Sequence, residues 1–204
     1  MLPSSKEKKS SFRVRKRAEA QKNYPDSNIS SLELIQIKFR TAPFVITNLY
    51  STCTENMLLP NREITNDERQ HHVSHVYDIV GYAMDVCQQL PCSLPEYIYQ
   101  EAFATVLKSH GIEPHKELHY HPIFNGVEMQ SYLKMDFMVE REGGNIIIEA
   151  KALETLTKKE RAQLFGYMVG TGFPYGLLVN FANYPKPKIE RYFFDKKTMT
   201  LVAF

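Results

Sequence analysis

The chain has 204 residues, 43% of them hydrophobic and 24% charged, a balance that can bury a real core and points to one domain with an appendage. A net charge of +2 neither requires nor excludes a polyanionic partner, and no apolar run reaches the roughly 18 residues of a membrane-spanning helix. Three cysteines, Cys53, Cys87 and Cys92, lack C-x-x-C spacing, which argues against a disulfide framework or a zinc site and leaves them as free thiols.

The first 22 positions hold eight of the 25 basic residues against only Glu7 and Glu19. With no sustained apolar period behind them, residues 1–60 read as a basic, disordered N-terminal extension, and residues 61–204 as the folded domain. The start lacks the roughly 7–15-residue apolar core of a signal peptide, so a cytoplasmic protein is expected. Met57, which leads straight into "LLPNREITNDE", is an alternative start.

Ordered signals begin at Thr65. Thr65 and Glu68 make a capping box, and Val73, Val76, Tyr77, Val80, Met84 and Cys87 recur at helical spacing, which predicts one amphipathic helix over about 66–89. After the Pro91 to Pro95 break, Ser93 and Glu96 form a second box opening a helix that Gly111 stops. Its expected buried side is Ile98, Ala102, Thr105, Val106 and Ser109.

Strand signals follow at 117–124, closed by the Asn125-Gly126 turn, at 128–139 and, after Gly143-Gly144, at 145–152. Thr157 and Glu160 cap a further helix to about Val169, "YGLLVNF" suits a buried strand, and "KIERYFF" and "MTLVAF" add one or two edge strands. A buried strand reached through a helix requires a parallel βαβ crossover. His71 and His75 lie one helical turn apart, and His119 and His121 share a strand face. Without Cys or carboxylate neighbours at ligand spacing, both pairs read as solvated or structural.

The stretch "NIIIEAKALETLTKKERAQLFGY" carries the chemistry. In a strand, residues two apart share a face, so Glu149 and Lys151 stand together while Ala150 faces away. Asp136, on the neighbouring strand, can join them. Two carboxylates with the backbone carbonyl of Ala150 form a hard-oxygen site suited to Mg²⁺ or Mn²⁺, and a nearby Lys can orient the attacking water or offset charge developing on a phosphorane. A surface salt bridge between Glu149 and Lys151 is the competing reading.

Together, "LPEYIYQEAF", "YLKMDFMVE", "IIIEAKALETLT", "RAQLFGYMVGTGFPYGLLVNF" and "KIERYFF", in that order, resemble the GxxExxY family of the PD-(D/E)XK nuclease superfamily, in its recombination-exonuclease branch. The resemblance spans about two-thirds of the chain, from Thr65 to Phe194. It implies an α/β fold of restriction-endonuclease type, a central mixed sheet flanked by helices. It also implies Mg²⁺-dependent hydrolysis of DNA, with Asp136 as the motif aspartate and Glu149 and Lys151 as the E-x-K pair. Gln163 and Tyr167 match a Q-x-x-x-Y element, and Glu96 and Tyr99 the Glu and Tyr of the naming motif. Where the family has Gly, this chain has Ser93, which bears on the geometry of Glu96.

Glu96 is equally a helix-capping residue, or a further metal ligand. Glu101, about 140° around the same helix, competes with it as the first-helix carboxylate. The alternative function is a catalytically silent nucleic-acid-binding or protein-interaction module on the same fold.

Overall fold

The structure, a computed structural model, describes residues 63–204. The expectations for the extension 1–60, for Cys53 and for a start at Met57 lie outside those residues.

Thr65 opens helix α1, Asn66–Gln89, its Oγ1 accepting the Glu68 amide at 3.2 Å. Helix α2 is Glu96–Ser109. Strand β1, His115–Tyr120, is followed by the two-residue strands β2, Ile123–Phe124, and β3, Val127–Glu128, then by β4, Leu133–Val139, and β5, Ile146–Lys151. Helix α3, Lys158–Thr171, leads to β6, Tyr175–Asn180, β7, Lys188–Asp195, and β8, Thr200–Ala203. The main sheet runs β1-β4-β5-β6-β7-β8. Only the β5–β6 pair is parallel, and α3 is its crossover. The expected mixed sheet with flanking helices is therefore the observed architecture.

Alternation along the strands divides the sheet between two layers. Phe137, Ile148, Ala150, Leu177 and Val179 face α1 and α2, where Phe103 meets Phe137 edge-on with ring centroids 5.7 Å apart. The opposite face of β6 takes α3 so closely that a Cβ at Gly176 would collide with Met168 and Leu164. The Thr157–Glu160 capping box forms in both directions, and α3 ends on Gly172 in the left-handed region.

Four expectations need correction. The buried stripe of α1 is His72, Val76, Ile79, Ala83, Val86 and Cys87, whereas Tyr77 is 74% exposed. The stripe of α2 is Tyr99, Phe103 and Leu107, whereas Thr105 and Ser109 are exposed. Both helices carry two adjacent apolar stripes, and the one with the larger rings or the closer-packing small residues turns to the sheet. The long strands expected at 117–124 and 128–139 are broken, because Asn125 and Gly126, at φ +50° and +78°, fold a separate small hairpin from β2 and β3. Finally, Ser93 and Glu96 form no capping box: Pro95 occupies the N-cap and makes no side-chain cap bond, which leaves Glu96 as the first helical residue.

The histidines pack locally. His75 Nε2 lies 2.8 Å from the Gly144 carbonyl and its ring stacks on Tyr175, His119 stacks on Tyr132, and His121, beyond the end of β1, bonds to the Met129 carbonyl. Arg141 and Asp78 form a two-pronged ion pair that ties the β4–β5 turn to α1. That turn marks the far end of the sheet, away from the residues described next.

Candidate active site

The ladder between β4 and β5 runs from Val139 opposite Ile146 to Phe137 opposite Ile148 and stops there. The next pair in register would be Asp136 and Glu149. Instead the strands part, and their side chains bridge the gap. The Asp136 amide donates to Glu149 Oε1 at 3.4 Å, and the Ala150 amide donates to Asp136 Oδ2 at 3.0 Å. Each carboxylate thus satisfies an amide of the other strand that has lost its ladder partner. The ladder is irregular on the other flank as well, since Glu117, opposite Asp136 on β1, sits at φ +52° and drops out of the β1–β4 pairing.

Lys151 completes the cluster. Its Nζ donates to Glu149 Oε2 at 2.9 Å and lies 3.7 Å from Asp136 Oδ2, with the Lys151 side chain only 12% exposed. Glu149 is wholly buried. Burial above all, and then the Asp136 charge, push its carboxyl up to about 7, against the pull of Lys151. Burial works to lower the Lys151 pKa, but the charges of Glu149 and Asp136 and the bond to Glu149 outweigh it and the net direction is upward. This enclosed, hydrogen-bonded geometry differs from the exposed surface salt bridge that sequence alone allowed.

The Ala150 main chain turns to the same gap. The Lys151 carbonyl accepts from Phe181 N at 2.8 Å on the β6 side, and strand alternation then directs the Ala150 carbonyl to the β4 side, where its own amide already meets Asp136. Two carboxylates and a main-chain carbonyl bordering one opening are hard oxygen donors of the kind that hold Mg²⁺ or Mn²⁺, so the residues present fit such an ion. Among the described residues, no group of three or more His, Cys, Asp and Glu side chains forms a metal cluster.

Glu96 approaches from the first turn of α2. Burial foremost, with the Asp136 charge, raises its pKa, while Lys151 and a hydrogen bond from the Ala152 backbone work to lower it. Its carboxylate thus borders the cluster, whereas Glu101 is exposed and lines a groove between α1 and α2 with Val86, Leu90 and Ile98. Gln163 and Tyr167 lie on α3, and Gln163 Nε2 donates to the Tyr167 hydroxyl at 3.0 Å. Burial above all, and then the charges of Glu149 and Asp136, raise the Tyr167 pKa, which puts the phenol within electrostatic reach of the cluster.

The turn before α2 gives Ser93 a physical context. Ser93 sits at φ +74°, a left-handed conformation that favours glycine. Tyr99, almost wholly buried, holds that turn from inside: its hydroxyl donates to the Pro91 carbonyl at 2.7 Å and accepts the Leu94 amide at 3.3 Å, and its ring stacks on Phe181. The turn that Tyr99 holds leads directly into Glu96, the first residue of α2.

Two positioning elements were not anticipated. Asn180, fully buried at the end of β6, accepts the Leu153 amide at 2.9 Å and donates to the Leu153 carbonyl at 2.6 Å, which extends the parallel β5–β6 ladder past Lys151 by one side chain. A polar residue closing the apolar run "YGLLVN" was its signal. Arg161 bonds Glu190 through Nε and a terminal nitrogen, both at 2.7 Å, and Tyr192 donates to the same carboxylate, which locks the first turn of α3 to β7. Nothing local pairs Arg161 with Glu190 in the sequence.

Comparison with protein families matches residues 73–192 to the PD-(D/E)XK nuclease superfamily. Neither the curated proteins nor the solved structures contain a match.

Proposed function

Since the chain belongs to the PD-(D/E)XK nuclease superfamily, whose match covers more than half of it, we propose that residues 61–204 form a metal-dependent nuclease domain that hydrolyses phosphodiester bonds in DNA. One observation carries this reading: Asp136, Glu149 and Lys151 form one hydrogen-bonded cluster where the β4–β5 pairing ends. Asp136, Glu149 and the Ala150 carbonyl would hold Mg²⁺ or Mn²⁺, with Glu96 as a candidate further ligand. When bound, that ion supplies a Lewis acid to the scissile phosphate.

Lys151 stands between two carboxylates and so stays an ammonium. In that form it donates to the attacking water or to the phosphoryl oxygens as they gain charge. Asp136 and Glu149 hold it in place. The Tyr167 phenol, bonded to the Gln163 amide, lies within electrostatic reach of the cluster, and the pair would orient a phosphate oxygen. The left-handed turn at Ser93, with Glu96 and Tyr99, supports placing the chain in the GxxExxY family, and the Gln163–Tyr167 pair supports the recombination-exonuclease branch.

The test rests on Lys151. A group that acts on developing charge contributes in the transition state more than in ground-state binding. Lys151→Ala is expected to slow single-turnover cleavage by orders of magnitude while DNA affinity at fixed salt changes little. Equal cleavage rates would remove Lys151 from the mechanism. If pure wild type cleaves no DNA with Mg²⁺ or Mn²⁺, a catalytically silent binding module becomes the better reading.

A further inference from the structure

Among the described residues, the large apolar side chains left in solvent gather at the site end of the sheet. Tyr97, 63% exposed, neighbours Glu96 in the α2 turn that Tyr99 anchors on Phe181. Tyr132, half exposed, immediately precedes β4, whose first residues lead to Asp136. Tyr184, 77% exposed, lies on the connector from Asn180 to Lys188, two residues paired with each other, and Asn180 is in turn paired with Lys151. Phe124, Val127 and Met129 are exposed on the small hairpin that leaves the sheet between Tyr120 and Leu133, the end of β4 that faces away from the β4–β5 turn and lies three residues from Asp136. Tyr77 and Met199 are the exceptions elsewhere.

Separate segments of the chain thus place aromatic rings at the same end of the sheet as the Asp136, Glu149 and Lys151 cluster. The Tyr132 ring is held by stacking on His119, with centroids 4.0 Å apart and planes 18° from parallel, so one of its faces is already fixed against a support. Core packing does not explain rings that the fold leaves in water. Charge alone does not define the rim either, because exposed Lys159, Lys186 and Lys188 share it with exposed Glu128 and Glu154. Rings with interspersed lysines bind a nucleic-acid strand by stacking on its bases, with the lysines following the phosphates. Duplex DNA keeps its base faces covered, and only an unpaired strand offers them.

We propose that the rim formed by Tyr97, Tyr132, Tyr184 and the Phe124 hairpin is a base-stacking site, so that the candidate active site receives single-stranded DNA, either free or as the unpaired tail of a duplex. This rests on the nuclease reading for what happens to the strand, but not for how the strand is held.

The experiment measures binding apart from cleavage. Fluorescence anisotropy in EDTA at fixed salt compares three labelled DNAs of about 20 nucleotides: a single strand, its blunt duplex, and an abasic strand with the same phosphates. The single strand is expected to bind at least about tenfold more tightly than the other two. Tyr97→Ala, Tyr132→Ala and Tyr184→Ala should each raise its Kd by roughly 5- to 100-fold, while the Tyr→Phe variants keep it. Because these side chains are exposed, unchanged melting temperatures will verify that the variants fold. Equal affinity for the abasic strand, or tyrosine variants that bind as wild type does, overturns the stacking site and leaves the nuclease reading intact. Absence of binding to any of the three DNAs overturns the stacking site and turns the rim toward a protein partner. Tyrosine-dependent binding in a protein that cleaves nothing with Mg²⁺ or Mn²⁺ upholds the stacking site and removes the nuclease reading.

Discussion

Burying Glu149 beside Asp136 costs the metal-free protein stability, and Glu149→Gln should expose that cost. The Glu149 carboxyl is pushed from an ordinary value of 4.5 to about 7 by burial and by Asp136. An acid with a raised folded-state pKa holds its proton more tightly in the native chain than in the unfolded one. Native stability is therefore greatest below the unfolded value, falls as pH rises between the two values, and levels off above the folded one. The separation corresponds to a loss on the order of 3 kcal/mol by pH 8, because each pKa unit is worth about 1.36 kcal/mol. A glutamine side chain at this position has the same shape and no charge, so the stability of the variant should lack this fall. Urea unfolding in EDTA at intervals from pH 5 to 8 measures both curves. The two proteins should be similar in stability near pH 5, with the variant the more stable by pH 8, and Mn²⁺ at pH 8 should raise wild type but not Glu149→Gln. Parallel curves across that range would refute the reasoning and mean that Glu149 titrates as an ordinary, solvated carboxyl.

The turn before α2 yields two more expectations. Ser93→Gly removes a left-handed strain of about 1–2 kcal/mol and adds unfolded-state freedom of about 0.5–1 kcal/mol, so a net gain between zero and about 1.5 kcal/mol in thermal unfolding is expected; a loss would mean that the Ser93 side chain contributes to the fold. Tyr99→Phe deletes the hydroxyl that serves Pro91 and Leu94 at once, at an expected cost of about 1–2 kcal/mol. If the turn positions Glu96, cleavage by Tyr99→Phe should fall beyond what its folded fraction explains, and cleavage proportional to that fraction would sink this link.

What could be read from sequence was whatever a local period or a capping pair determines. Helix α1 begins and ends where Thr65 and the apolar spacing put it, and α3 opens on the Thr157–Glu160 box. The alternation of "IIIEAK" places Glu149 and Lys151 on one face. What escaped depends on partners distant in sequence. Choosing between two apolar stripes on α2 needs Phe137 and Phe181 on the other side of the interface, and the polar clamp from Asn180 needs the backbone of Leu153. Ser93 shows the same limit at short range. S-x-x-E is an ordinary capping signature, but Pro95 takes the cap and Tyr99 holds the preceding turn, so the left-handed Ser93 is imposed from within the core.

The cluster itself sharpens the point. Strand alternation states which face Asp136 and Glu149 occupy, but not where the ladder between their strands ends, and the chemistry depends on that ending. Had β4 stayed paired with β5 beyond Phe137 and with β1 at Glu117, the amides of Ala150 and Asp136 would have had backbone partners, and the two carboxylates would not have been needed to satisfy them. Because the pairing stops at Phe137 and Ile148, the carboxylates are recruited to satisfy orphaned amides, are drawn within reach of one ammonium, and meet the Ala150 carbonyl at one opening. A local defect in the sheet thus concentrates two carboxylates around one ammonium, the charge arrangement on which the proposed cation and phosphate binding depends.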